Sequence, residues 1–138
     1  MSRRLAREKA LQMLFQMDVG QNSLEMAKLT LLGAEISPQD ESFVLKLVDG
    51  TRNCLEELDT CINQYAEEWD IGRMAKVDKN LLRMALYEMK YLEDIPHSVT
   101  INEAIDLAKK FGSEESGKFV NGILDKIQKE SDFLKGRL

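Results

Sequence analysis

The chain predicts an all-α fold, and three observations carry that prediction. Apolar residues recur at helical spacing almost throughout, no stretch alternates with the period of a strand, and helix-favouring Leu, Met, Ala, Lys and Glu abound beside only two prolines. With 138 residues, 43% hydrophobic and 31% charged, the composition is that of a soluble globular protein, and the length suits one domain over 1–138. A compact chain of this size withdraws roughly 70% of its unfolded surface from water, enough for a core without disulfides or metal.

The elements follow in order. Ala6, Ala10, Met13, Leu14 and Met17 form the stripe of a first helix that ends near Gly20, and a weaker helix spans about 23–34. Ser37 and Pro38 supply a cap and a first-turn proline for the third. Its apolar face, Val44, Leu47, Val48, Thr51, Leu55, Leu58, Ile62 and Tyr65, is long, and Asp59 offers a cap that would divide the span into two helices. Residues 69–76 lack periodicity. Asp78 can cap the next helix, whose stripe runs Leu81, Leu82, Ala85, Leu86, Met89 and Leu92 before Pro96 breaks it. Thr100 and Glu103 have the spacing of a capping box for the sixth helix, which buries Ile101, Ala104, Ile105, Ala108 and Phe111.

The stretch FGSEESGKFVNG separates the last two helices. Gly112 can end one in the left-handed conformation, and Ser113 can cap the other, with Glu114 and Glu115 against its positive dipole end. Phe119, Val120, Ile123, Leu124 and Ile127 keep helical period straight through Asn121-Gly122, so that pair lies inside the helix. Glycine there costs about 1 kcal/mol relative to alanine, which predicts another backbone packed close to Gly122. The count is seven helices, with no internal repeat.

Catalytic chemistry finds no support. His97 stands alone beside Pro96, and no clustered carboxylates or paired cysteines accompany it as metal ligands. Cys54 and Cys61, seven residues apart on a helix, sit about 10 Å from each other, too far for a disulfide, and read as buried thiols. The glycines are scattered singly, so no loop cradles phosphate, and Glu67-Glu68 reads as a solvated face. A binding protein is predicted rather than an enzyme, with no cofactor. No apolar run approaches the ~20 residues of a membrane span and no signal-peptide pattern opens the chain, which predicts a cytoplasmic location.

The net charge of −5 argues against general nucleic-acid affinity, but the charge is unevenly placed. Arg3, Arg4, Arg7 and Lys9 face only Glu8 within the first seventeen residues. At 100° per residue, the three arginines share an arc of about 100° beside the apolar stripe, and Leu11 and Phe15 extend that side away from the core face. Cations can hold phosphate there and rings can stack on bases; the equal alternative for Phe15 is completion of the core. At the start of the last helix, exposed backbone N–H groups and Lys118 make a second phosphate-facing surface, opposed by Glu114 and Glu115.

Three stretches, RRLAREKALQMLFQMD, VDKNLLRMALYEM and INEAIDLAKKFGSEESGKFVNGILDKI, together resemble the NusB family of bacterial transcription factors over nearly the whole chain. The resemblance implies two small helix bundles packed across each other and no catalytic activity. It implies binding to the boxA element of nascent RNA together with NusE, a ribosomal small-subunit protein, in an antitermination complex on RNA polymerase, notably over ribosomal RNA operons. By the same resemblance Arg3, Arg4 and Arg7 hold RNA phosphates, and Tyr65 lies near the RNA. Glu115, Ser116, Lys118 and Phe119 form the RNA-contacting helix start. Phe15 matches an aromatic position needed for antitermination, and Asp78 an acidic position facing NusE. Packing alone is open for Phe119, and simple capping for Asp78.

Two positions depart from the family pattern. Leu5 stands where an arginine can occur and Gly117 where a histidine can occur, which predicts weaker RNA binding by the isolated protein and more dependence on NusE. Oligomeric state stays open between monomer and homodimer. Two other readings remain: a helical RNA-binding domain like the one preceding the catalytic part of some RNA cytosine methyltransferases, and a protein-only helical adaptor. The former expects a cofactor-binding α/β segment and a catalytic cysteine motif, neither of which these residues contain.

Overall fold

In the computed structural model, residues 2–33, 36–66 and 72–134 are described. Among them lie seven α-helices and no strand: α1 (Arg3–Val19), α2 (Leu24–Leu31), α3 (Pro38–Asn53), α4 (Leu55–Tyr65), α5 (Lys76–Tyr91), α6 (His97–Phe111) and α7 (Glu114–Glu130). The first three helices pack as one bundle and the last four as another. α5 is shared, touching α1 and α3 on one side and α4, α6 and α7 on the other. That central place explains its sequence, since Leu81, Leu82, Leu86 and Met89 are wholly buried. Each such side chain contributes about 1.5–3 kcal/mol of transfer free energy.

Serines start four of the helices. Ser2, Ser23, Ser37 and Ser113 each accept, through the side-chain oxygen, a hydrogen bond from the backbone N–H three residues on. Such a bond satisfies a donor that the first turn leaves unpaired, and losing it costs about 1 kcal/mol. Of the stretch 69–76 expected to lack periodicity, residues 69–71 lie outside the described residues, as do Glu67 and Glu68.

Several boundaries differ from expectation. α3 and α4 are indeed two helices, but the break falls at Cys54 rather than at Asp59, whose carboxylate instead takes two hydrogen bonds from Arg83 on α5. α6 begins at His97, so Thr100 is a buried residue one turn inside, and Glu103 reaches across to α1 instead of closing a capping box. Asp78 likewise lies inside the first turn of α5, after an N-cap at Ala75. Gly112 does not take the left-handed conformation, with φ −117°. It is required for closeness instead: a Cβ there would stand 2.5 Å from Ser116 Oγ and 2.8 Å from the Ala108 carbonyl oxygen. Asn121 and Gly122 do lie within α7, but nothing stands within 4 Å of where a Gly122 Cβ would be, so no neighbouring backbone explains that glycine.

Candidate nucleic-acid interface

The start of α7 is built against the start of α5. Gly112 turns the chain, Ser113 caps α7 by accepting from the Ser116 N–H at 3.1 Å, and the Ser116 hydroxyl donates to the Asp78 carboxylate. Between the two helices opens a groove of about 360 Å³, lined by Arg73, Asp78, Ser113, Glu115, Ser116 and Phe119. Thus Glu115, Ser116 and Phe119 come together, and Asp78 joins them rather than a separate surface. Phe119 is half-buried, one side packed on the core. Lys118 projects outward, 76% exposed, with Glu115 3.7 Å away. Asp78 is only 7% exposed, and its Oδ1 has no hydrogen-bond partner among the described residues. Burial raises its carboxyl above the usual carboxylate range, partly offset by the Ser116 bond.

Phe15 belongs to a neighbouring apolar groove with Leu11, Leu31, Val77 and Phe111. Leu11 is 3% exposed, so it faces the core and not the outer side that the helical arc predicted. The consecutive residues Val77 and Asp78 border the two grooves, one each.

The three arginines diverge despite their shared arc. Arg3 lays its guanidinium 3.7 Å above the Phe43 ring of α3. Arg4 donates from Nε to Glu103 at 2.9 Å and from Nη2 to Asp106 at 2.6 Å, both on α6, and remains half-exposed. Arg7 is buried, donating from Nε to Glu88 Oε1 at 2.8 Å. The expectation that Arg7 holds RNA phosphate is corrected by this geometry: its charge is spent on a buried carboxylate of α5. Tyr65 is also apart. It lines a groove with Cys61, Ser131 and Phe133, because α4 packs along the C-terminal half of α7 and away from Phe119.

Two lysines link the arginine end to the Phe119 end. On the outer edge of α6, Glu103 and Asp106 hold Arg4, Lys110 pairs with Glu8 at 2.6 Å, and Lys109 reaches Glu114 of α7 at 3.9 Å. α6 therefore carries a line of charge from the start of α1 to the start of α7. In sequence Lys109 and Lys110 carry no distinct signal, because cations are favoured in the last turn of any helix by its dipole. Among the described residues no group of His, Cys, Asp and Glu could hold a metal ion.

A two-bundle helical body with an aromatic, serines and cations gathered around one helix start has the build of a macromolecular recognition protein. The NusB family model matches residues 4–129. The transcription antitermination protein NusB of Desulforamulus reducens is 46% identical over 134 residues, covering 96% of this chain and 93% of that one. Its counterpart in Pelotomaculum thermopropionicum is 49% identical over 128 residues, covering 92% and 89%. Among solved structures, NusB of T. maritima superposes with a TM-score of 0.88 at 39% identity, covering 94% of this chain and 92% of that one. NusB in a complex with NusE and double-stranded RNA superposes at 0.81 with 27% identity, covering 92% and 96%. The chain belongs to the NusB family.

Proposed function

We propose that this protein is a transcription antitermination factor that binds boxA RNA together with NusE and so promotes assembly of an antitermination complex on RNA polymerase. It works without catalysis and in the cytoplasm. The observation that carries the reading is the meeting of Phe119, Ser116 and Glu115 in one open groove beside the exposed Lys118, in a chain whose relative is solved with NusE and RNA. Phe119 keeps one side on the core, which fixes its ring, and offers the other to a base; such stacking is worth about 1–3 kcal/mol. Lys118, Arg3 and Arg4 supply cations for phosphate, whereas Arg7 supports them by fixing α1 on α5. Asp78, almost wholly buried, serves the NusE-facing side indirectly by holding the start of α7 through Ser116, and Phe15 offers its apolar groove to that partner.

Acids surround most of these cations, so RNA affinity of the protein alone is weak and NusE strengthens it. Titration of boxA RNA and a scrambled RNA of equal length, with and without NusE, tests the reading. Preference for boxA, strengthened by NusE and weakened by Phe119→Ala, is the expected result. Normal NusE binding with no preference between the RNAs would leave a protein-only adaptor.

A further inference from the structure

Lys109 lies in the last turn of α6, and its side chain crosses α7 at Gly117. A Cβ at position 117 would stand 2.9 Å from the lysine Cγ and 3.1 Å from its Cε, closer than carbons pack. Gly117 is itself buried, so the methylenes of Lys109 occupy the space a side chain there would fill. That path carries the ammonium to the first turn of α7. There it stands 3.9 Å from Glu114 Oε2, with the lysine side chain 45% exposed. So long a pairing between exposed groups contributes little, and the ammonium stays open to an anion. Its neighbour Lys110 is different: it is held at 2.6 Å by Glu8, a largely buried carboxylate, and clamps α6 to α1.

We propose that Lys109 is an RNA-phosphate contact delivered to the start of α7 through the notch left by Gly117. The proposal rests on the reading that RNA lies over the first turns of α7. It also reinterprets the glycine. A side chain at 117 would add its own contact but displace the lysine, so the loss expected at this position is offset by the cation that the bare backbone admits.

The test is a titration of boxA RNA with the full chain and NusE across a salt series, comparing Lys109→Gln, Lys109→Arg and Gly117→Ala. Gly117→Ala changes no charge, so a change of salt slope in this variant reports displacement of the lysine. Each phosphate contact to a single strand contributes about 0.7 to the slope of log affinity against log salt. Lys109→Gln and Gly117→Ala should each flatten the slope by about that amount, the double variant should lose no more than either, and Lys109→Arg should keep the wild-type slope. A wild-type slope in Lys109→Gln overturns the contact, and a wild-type slope in a folded Gly117→Ala overturns the notch. Should Gly117→Ala melt far below the wild type, the Lys109 pair decides the matter alone. If Lys118→Gln flattens the slope and Lys109→Gln does not, only this inference fails. If the wild type shows no preference for boxA, the proposed function fails first and takes this one with it.

Discussion

Arg7 donates from Nε to Oε1 of Glu88 at 2.8 Å, with both side chains closed off from solvent. The pair joins α1 to α5 inside the protein, and it takes one arginine out of a basic arc that the sequence presents as continuous. Removing one partner of a buried pair leaves a charge with no compensation, a loss of about 3–5 kcal/mol. Arg7→Met should lower stability by that order in urea unfolding, whereas Arg7→Met combined with Glu88→Leu should recover most of it. RNA binding of the folded double variant should keep the wild-type salt slope, since the Arg7 guanidinium is buried against Glu88.

Arg4 is exposed but not idle. Glu103 and Asp106 hold three of its hydrogen bonds, so under the proposed function an RNA phosphate would have to compete with two carboxylates for one guanidinium. Exposed pairs of this kind are worth about 0.2–1 kcal/mol. Asp106→Asn and Glu103→Gln should therefore strengthen RNA binding by up to about fivefold at low salt, with the gain shrinking as salt screens both. Arg4→Ala should weaken binding and flatten the slope.

Asp78 gives a pH dependence of definite sign. Its carboxyl titrates higher in the folded protein than in the unfolded chain, chiefly because burial disfavours the charge. As pH rises from the ordinary carboxylate range, the unfolded chain releases this proton first. The folded state then binds more protons, and its stability falls through that window. Asp78→Asn removes the penalty while leaving an oxygen for Ser116. Denaturation at a series of pH values should show the variant gaining on the wild type up to the raised titration point and keeping that advantage at neutral pH.

Gly112 is predicted to be intolerant for a reason unrelated to handedness. A methyl group there meets both Ser116 Oγ and the Ala108 carbonyl, so Gly112→Ala must shift the α6–α7 junction. A cost of about 1–3 kcal/mol is expected in thermal or urea unfolding. Because the junction also sets the Ser113 cap and the Ser116–Asp78 bond, boxA affinity should fall as well. Gly122→Ala, with open space around it, should be neutral or slightly stabilising.

Much of this architecture is legible in the residues. The 3.6-residue period gives all seven helices, and Ser37-Pro38 and Ser113 mark two starts correctly, because a cap acts within its own first turn. What the sequence hides is tertiary. Arg3, Arg4 and Arg7 look equivalent on a helical wheel, yet α3, α6 and α5 each claim one, and only the packing of α1 decides which. Thr100 and Glu103 fit a capping box, but Pro96 and His97 start α6 a turn earlier and Arg4 takes the carboxylate. Gly117 and Gly122 look alike in sequence, and only the course of the Lys109 side chain distinguishes them. At the candidate site, Glu115, Ser116, Phe119 and Asp78 line one groove and Tyr65 lines another.

Under the proposed function, RNA contacts the start of α1 at Arg3 and Arg4 and the groove at Phe119. Amide hydrogen exchange of the complex with NusE, compared with and without boxA RNA, tests it most directly. RNA should add protection at residues 3–5 and 113–119 and leave α4 unchanged. Added protection confined to the groove of Tyr65, Cys61 and Phe133 would contradict it.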